Sequence, residues 1–147
     1  MDSGRAFFVG RGDGKETRTR QPSTQYKAVS ADTGGVYTFA EHQLDLDFPP
    51  HIHHREDEGI YVLEGDITAT VGDQAFRMGP GDFAFLPKCV PHSLSNHSQP
   101  AARFVFVSAS GGFEHLMDDF VEAAKNGHGP GSPEWKAIED RHELHFL

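Results

Sequence analysis

The chain has 147 residues, 37% of them hydrophobic and 11% aromatic, including twelve phenylalanines. A chain this long buries roughly 68–70% of its extended surface without disulfide staples, and this composition excludes a disordered chain. Lysine and arginine total 13 against 22 acids, a formal charge of −9, which argues against nucleic acid because phosphate binding needs a concentrated basic face.

Residues 1–25 are rich in Gly, Arg and Thr, with only Ala6, Phe7, Phe8 and Val9 apolar in a row. They read as an arm that packs on a neighbouring subunit or pairs as a short strand. Gly10, Gly12 and Gly14 mimic a phosphate loop, but no apolar strand and helix frame them, so a turn is expected. No apolar h-region of the secretory type is present, and no apolar run approaches 18 residues. With Cys89 the single cysteine, a cytoplasmic, reducing setting is expected.

From Tyr26 onward short runs predict strands over 26–31, 36–46, 60–63, 67–71, 75–78, 83–86, 93–96 and 104–108. Turn signals separate them: Gly34-Gly35, Pro49-Pro50, Glu64-Gly65-Asp66, Gly72-Asp73, Gly79-Pro80-Gly81-Asp82 and Ser98-Gln99-Pro100. Many short strands without intervening helices predict an all-β sandwich or barrel over 26–110. Beyond it, Phe113, Leu116, Met117, Phe120, Val121 and Ala124 recur at helical spacing and predict an amphipathic helix over 112–125. A second short helix starts at Ser132-Pro133, with Ser as N-cap and Pro in the first turn. Residues 111–147 are thus expected as a helical extension of the same domain, packed outside the barrel.

The chemistry concentrates in residues 51–65, HIHHREDEGIYVLEG. On an extended chain His51 and His53, two apart, point to the same side. Glu58 opens the next apolar run, and His92 follows a strand end and turn far downstream. Three neutral imidazoles and a carboxylate suit a divalent first-row metal and leave coordination positions open, the mark of a catalytic rather than a structural site. His54 is expected to be exposed or to support the pair from behind, and Glu56 and Asp57 to face solvent. Residues 142–145, His-Glu-Leu-His, read as a surface segment, and His97, His115 and His128 lack motif support. No Gly-x-Ser-x-Gly elbow is present, which disfavours a serine hydrolase.

These spacings resemble the two motifs of the cupin superfamily. In the first, His-x-His is followed by three or four residues, Glu, six residues and Gly; His51, His53, Glu58 and Gly65 meet it. The second runs Gly, five residues, Pro, one residue, Gly, two residues, His, three residues, Asn; Gly81, Pro87, His92 and Asn96 meet it. Two usual glycines are replaced, by Asp45 and Cys89, which puts local loop shape in doubt but removes no ligand. Cys89 is expected as a turn thiol rather than a ligand. The resemblance implies a double-stranded β-helix (jelly-roll) barrel with His51, His53, Glu58 and His92 facing inward on one divalent transition metal per chain. Iron, nickel or manganese are favoured; cobalt, copper and zinc are compatible.

Within that superfamily the run from Pro49 to Gly65 is similar to small quercetinase-like (flavonol 2,4-dioxygenase-like) proteins. The resemblance implies cleavage of an aromatic or enolic small molecule with dioxygen, with Glu58 both ligand and base. Phe48, Tyr61, Phe83, Phe85, Phe104 and Phe106 are candidates for an apolar substrate wall, although ordinary barrel core is the commoner role for any single one of them. Two other readings stand beside the dioxygenase: a metal-dependent cyclase or isomerase of polyketide tailoring, and a non-enzymatic metabolite-binding module. Neither a nucleic-acid nor a membrane partner is expected. A homodimer is, through sheet edges and possibly the arm.

Overall fold

The computed structural model describes residues 5–18, 23–45, 47–99 and 101–147. In chain order the elements are β1 (Lys15–Arg18), β2 (Ser23–Ala28), α1 (Ser30–Thr33), β3 (Thr38–Leu44), β4 (Phe48–His53), β5 (Asp57–Glu64), β6 (Ile67–Val71), β7 (Gln74–Met78), β8 (Phe83–Leu86), β9 (His92–Asn96), β10 (Ala102–Ala109), α2 (Phe113–Lys125), α3 (Pro133–His142) and β11 (Leu144–Phe146). The strands form two sheets, ordered β1-β2-β3-β10-β5-β8 and β11-β4-β9-β6-β7. Every pairing is antiparallel.

Period-two alternation builds the core between the sheets. On β10, Ala102, Phe104, Phe106 and Ser108 point inward, and on β5 Glu58, Ile60 and Val62 do. Ile67, Ala69 and Leu94 meet them from the second sheet. Gly65 turns β5 into β6 at φ +93°, where a Cβ would lie 2.9 Å from the Ala102 Cα. Backbone conformation and space both require glycine at that point.

Three expectations change. Pro49 and Pro50 lie inside β4 rather than in a turn. The β4–β9 register shifts between Phe48 and His51, and prolines are tolerated at such an irregularity because no ladder N–H is required there. Residues 142–145 are no loose surface segment, because Leu144 is buried and β11 pairs with β4. The helices also do more than cover the exterior. Phe113 of α2 packs against both the barrel core and a smaller cluster of Leu116, Phe120, Ala123, Ile138 and Leu144. Phe120 stacks on Trp135 of α3 at 4.3 Å, and Ser132 caps α3 by accepting from Trp135 N at 3.2 Å.

One carboxylate ties α2 to the barrel. Buried Glu114 accepts hydrogen bonds from Thr38 Oγ1 at 2.6 Å, from Ser30 N at 2.8 Å and from the Ser30 hydroxyl. Burial alone would raise its pKa, but these donors outweigh burial and hold it down at about 2.

Candidate metal centre

The four residues singled out by spacing converge. His51 and His53 lie on β4, and His92 lies opposite His51 on β9, so one sheet carries all three imidazoles. Glu58 enters from the other sheet, on β5, opposite Ser108 of β10 and Leu86 of β8. One potential donor atom from each residue lies within 4.8 Å of the others. His53 Nε2 is 3.1 Å from Glu58 Oε1, and His92 Nε2 is 3.1 Å from Glu58 Oε2. Two donors each bound at about 2.0–2.2 Å and at right angles stand about 3 Å apart.

Backbone hydrogen bonds aim the rings. His51 Nδ1 donates to the Pro49 carbonyl at 2.8 Å, and His92 Nδ1 donates to the Val90 carbonyl at 3.2 Å. Each bond places the proton on Nδ1 and leaves Nε2 as a lone pair. The lone pair of His92 therefore faces a carboxylate oxygen at 3.1 Å, a buried contact with no hydrogen bond to satisfy it. A shared cation relieves that repulsion, so the donor set fits a divalent ion bound by nitrogen and oxygen.

The loop before His92 is fastened to the first motif at two points. Cys89 N donates to the His53 carbonyl at 2.7 Å, and Lys88 N donates to Asp57 Oδ1 at 2.9 Å. Asp57 is thus a fastening between the motifs as well as a surface charge. The exposed Cys89 holds φ +63°, the conformation its usual glycine would supply. Asp45 does not; among the described residues only Cys89 and Glu143 are non-glycines with positive φ. Asn96 secures the far end of β9, its Nδ2 donating to the Leu44 carbonyl at 3.0 Å.

Glu56 corrects an expectation. Rather than facing solvent, it is only 9% exposed, and its Oε2 lies 3.5 Å from His53 Nδ1. It stands behind the His53 ring as a charged neighbour, without the hydrogen bond that the Pro49 and Val90 carbonyls make to the other two rings. Its cue in the sequence was the i,i+3 spacing from His53, hidden in a run of charges. His54 is exposed, and its ring stands 5.3 Å from that of His145.

The cluster's charges are strongly coupled. Burial lowers the His51 pKa to about 4, with neighbouring His53 adding to the effect. Burial also pulls His53 down, but the carboxylates of Glu58 and Glu56 outweigh it and raise its pKa. Glu58 would be raised by burial, yet the surrounding imidazoles, His53 foremost, lower it.

A cavity opens onto the four residues, with about 130 Å³ of room for water centres, far above the roughly 10–15 Å³ that one water needs. Phe48, Phe104 and Phe106 line it, joined by Phe113 and Phe120 and by the histidine His42. Tyr61, Phe83 and Phe85 do not. They are 44%, 64% and 56% exposed on the outer face of the first sheet. Strand phase is the reason: inward Glu58, Ile60 and Val62 force Tyr61 outward, and Phe83 pairs with Tyr61. His42 and the helical wall carry no motif and are legible only in the fold.

Known proteins agree with this architecture. Residues 41–108 match the family described as "Cupin domain". Over 69 residues the chain is 35% identical to quercetin 2,3-dioxygenase of Bacillus subtilis (strain 168), a stretch covering 47% of this chain and 20% of that protein. The chain thus matches only a fifth of that relative's length. Among solved structures, KdgF from Halomonas sp. superposes with a TM-score of 0.63 at 17% identity, covering 76% of this chain and 99% of that one. The cupin domain of Schizosaccharomyces pombe Cnp3 superposes at 0.56 and 16%, covering 86% and 85%. At these identities the two structures speak to fold alone. The match to the cupin domain over residues 41–108, the motif spacing and the two-sheet architecture all agree with one another.

Proposed function

We propose that this chain is a metal-dependent cupin enzyme in which His51, His53, Glu58 and His92 hold one divalent first-row ion, and that it acts as a dioxygenase on an aromatic or enolic small molecule. One observation carries the reading: an apolar cavity walled by Phe48, Phe104, Phe106, Phe113 and Phe120 ends on a buried three-histidine, one-glutamate cluster. The likeness to quercetin 2,3-dioxygenase over 69 residues supports the choice of chemistry. Iron, nickel and manganese are the favoured ions.

An ion held there by His51, His53, Glu58 and His92 would supply Lewis acidity toward an enolic hydroxyl. The residues do the rest. The aromatic wall orients a flat ring edge-on to the cluster and keeps water out. Glu58 is held as a carboxylate by the imidazoles around it. Its two oxygens face different histidines, so one can take the substrate's hydroxyl proton while the other stays in place. Glu56 braces His53 from behind.

The protein is further proposed to act as a homodimer. Phe83 and Phe85 on edge strand β8, with Tyr61 beside them, make an exposed aromatic surface suited to a second copy of the chain.

Elemental analysis followed by oxygen uptake against a flavonol panel tests the function. One ion per chain and flavonol-dependent oxygen consumption are the expected results. Ion-dependent turnover without oxygen uptake would replace the dioxygenase with a cyclase or isomerase, and no turnover of any kind would leave a binding module.

A further inference from the structure

His42 has no place in either motif, yet it sits in the cavity wall. It is 5% exposed on β3, with its ring 5.4 Å from Phe48, 5.3 Å from Phe104 and 6.2 Å from Phe106. Its Nδ1 is engaged by Thr24 Oγ1 of the adjacent strand at 2.8 Å. Among the described residues no hydrogen bond reaches Nε2, the nitrogen at the far side of the ring. Nε2 is also not among the buried polar atoms left without a partner, so in a residue that lines the cavity it keeps access to open space, where a polar group of a bound molecule can reach it. Burial lowers the His42 pKa to about 4, against an upward push from Glu58, so the ring is neutral near pH 7.

Its position relative to the cluster follows from strand register. On β10, Phe104 lies opposite His42 and Ser108 lies opposite Glu58. Four residues at about 3.3 Å each set the two levels roughly 13 Å apart at the backbone. The cavity therefore has a polar end at the four-residue cluster, an aromatic middle, and one further polar point at His42.

We infer that His42 is a specificity-determining residue that hydrogen-bonds, through Nε2, a hydroxyl group at the end of the substrate remote from the metal centre. The inference rests on the proposed function and adds a substrate class: a flat aromatic molecule with a chelating oxygen pair at one end and a hydroxyl at the other. A hydroxyl is the suitable group because it both donates and accepts. It thus matches Nε2 whichever way the proton lies in the bond to Thr24.

The test compares two probes, 3-hydroxyflavone and 3,4′-dihydroxyflavone, binding to zinc-loaded protein without oxygen, read by calorimetry. The wild type is expected to bind the dihydroxy probe about three- to tenfold more tightly, the worth of one net hydrogen bond. His42→Phe should abolish that preference while retaining zinc stoichiometry and the affinity for 3-hydroxyflavone. His42→Gln, which restores a polar terminus, should recover part of it. Equal binding of both probes by the wild type overturns the inference without any variant, as does a preference that survives in folded His42→Phe. Failure of both probes to bind zinc-loaded wild type overturns the flavonol reading itself, and the substrate class with it. Binding of 3-hydroxyflavone alone would spare that reading and reject only the role of His42.

Discussion

Residues 51–58 and 142–145 are both rich in histidine and glutamate, and the fold pairs parts of them side by side as β4 and β11, with Leu144 opposite His53, His145 opposite Ile52 and Phe146 opposite His51. Their fates differ because of the pleat. On β4 the histidines take the inward positions and join His92 and Glu58. On β11 the inward positions belong to Leu144 and Phe146, which line the cavity, while His145 turns toward exposed His54. His142 is engaged by Asp119 at 2.7 Å instead. Composition alone does not make a metal centre; strand phase decides whether donors meet or disperse.

The sharpest way to break this contrast is to remove donors from each segment. His53→Ala or Glu58→Ala is expected to reduce bound ion from one per chain to almost none by elemental analysis. The double change His142→Ala, His145→Ala should leave the stoichiometry intact. Equal loss from both segments would end the distinction.

The tail should matter instead through packing. Leu144 is 3% exposed within the α2–α3 cluster, so Leu144→Ala is expected to cost about 2–5 kcal/mol in denaturant unfolding. A cost below about 1 kcal/mol would show that β11 is dispensable to the packing. Next in size is Glu56→Gln, which keeps the shape but removes the charge behind His53. Chelator competition should show ion affinity about 10–100-fold weaker, whereas exposed His54→Gln should change nothing.

Acid provides a further contrast, between a segment held by strand pairing and one held by a carboxylate. The folded pKa of Glu114 is about 2, below its ordinary value. Its contribution to stability is therefore fully present above the usual carboxylate range and is lost as pH falls toward about 2. Unfolding measured between pH 5 and pH 2 should show wild type losing stability relative to Glu114→Gln, and parallel curves would refute that linkage. The smallest expected effect is at Cys89. Relieving a left-handed cysteine by Cys89→Gly should raise stability by about 1 kcal/mol or less, since glycine's entropy in the unfolded chain offsets part of the gain.

Much of this molecule was legible before its fold was known, for uneven reasons. Spacing pointed to His51, His53, Glu58 and His92 because each donor must occupy a fixed place relative to its turn. Helical period located α2 to within a residue of Phe113–Lys125. Aromatic content, by contrast, could not separate Phe104 and Phe106 from Tyr61, Phe83 and Phe85, since a strand's two faces look alike until one residue anchors the phase. Glu58 was such an anchor for β5: Tyr61 lies three positions on, an odd step and hence the opposite face. Phe83 and Phe85 follow only once β8 is known to pair with β5. His42 and the inward turn of α2 depend on contacts between distant elements, for which local pattern carries no signal.

Because the cluster draws its imidazoles from one sheet and its carboxylate from the other, a bound ion would act as a clasp across the sandwich. A chain whose single cysteine cannot form an internal bridge would gain a cross-link that chelators, rather than reductants, undo. At free ion a hundredfold above the dissociation constant the clasp adds about 2.7 kcal/mol to folding stability. The supply of ion would then govern the lifetime of the folded protein as well as the rate at which it works.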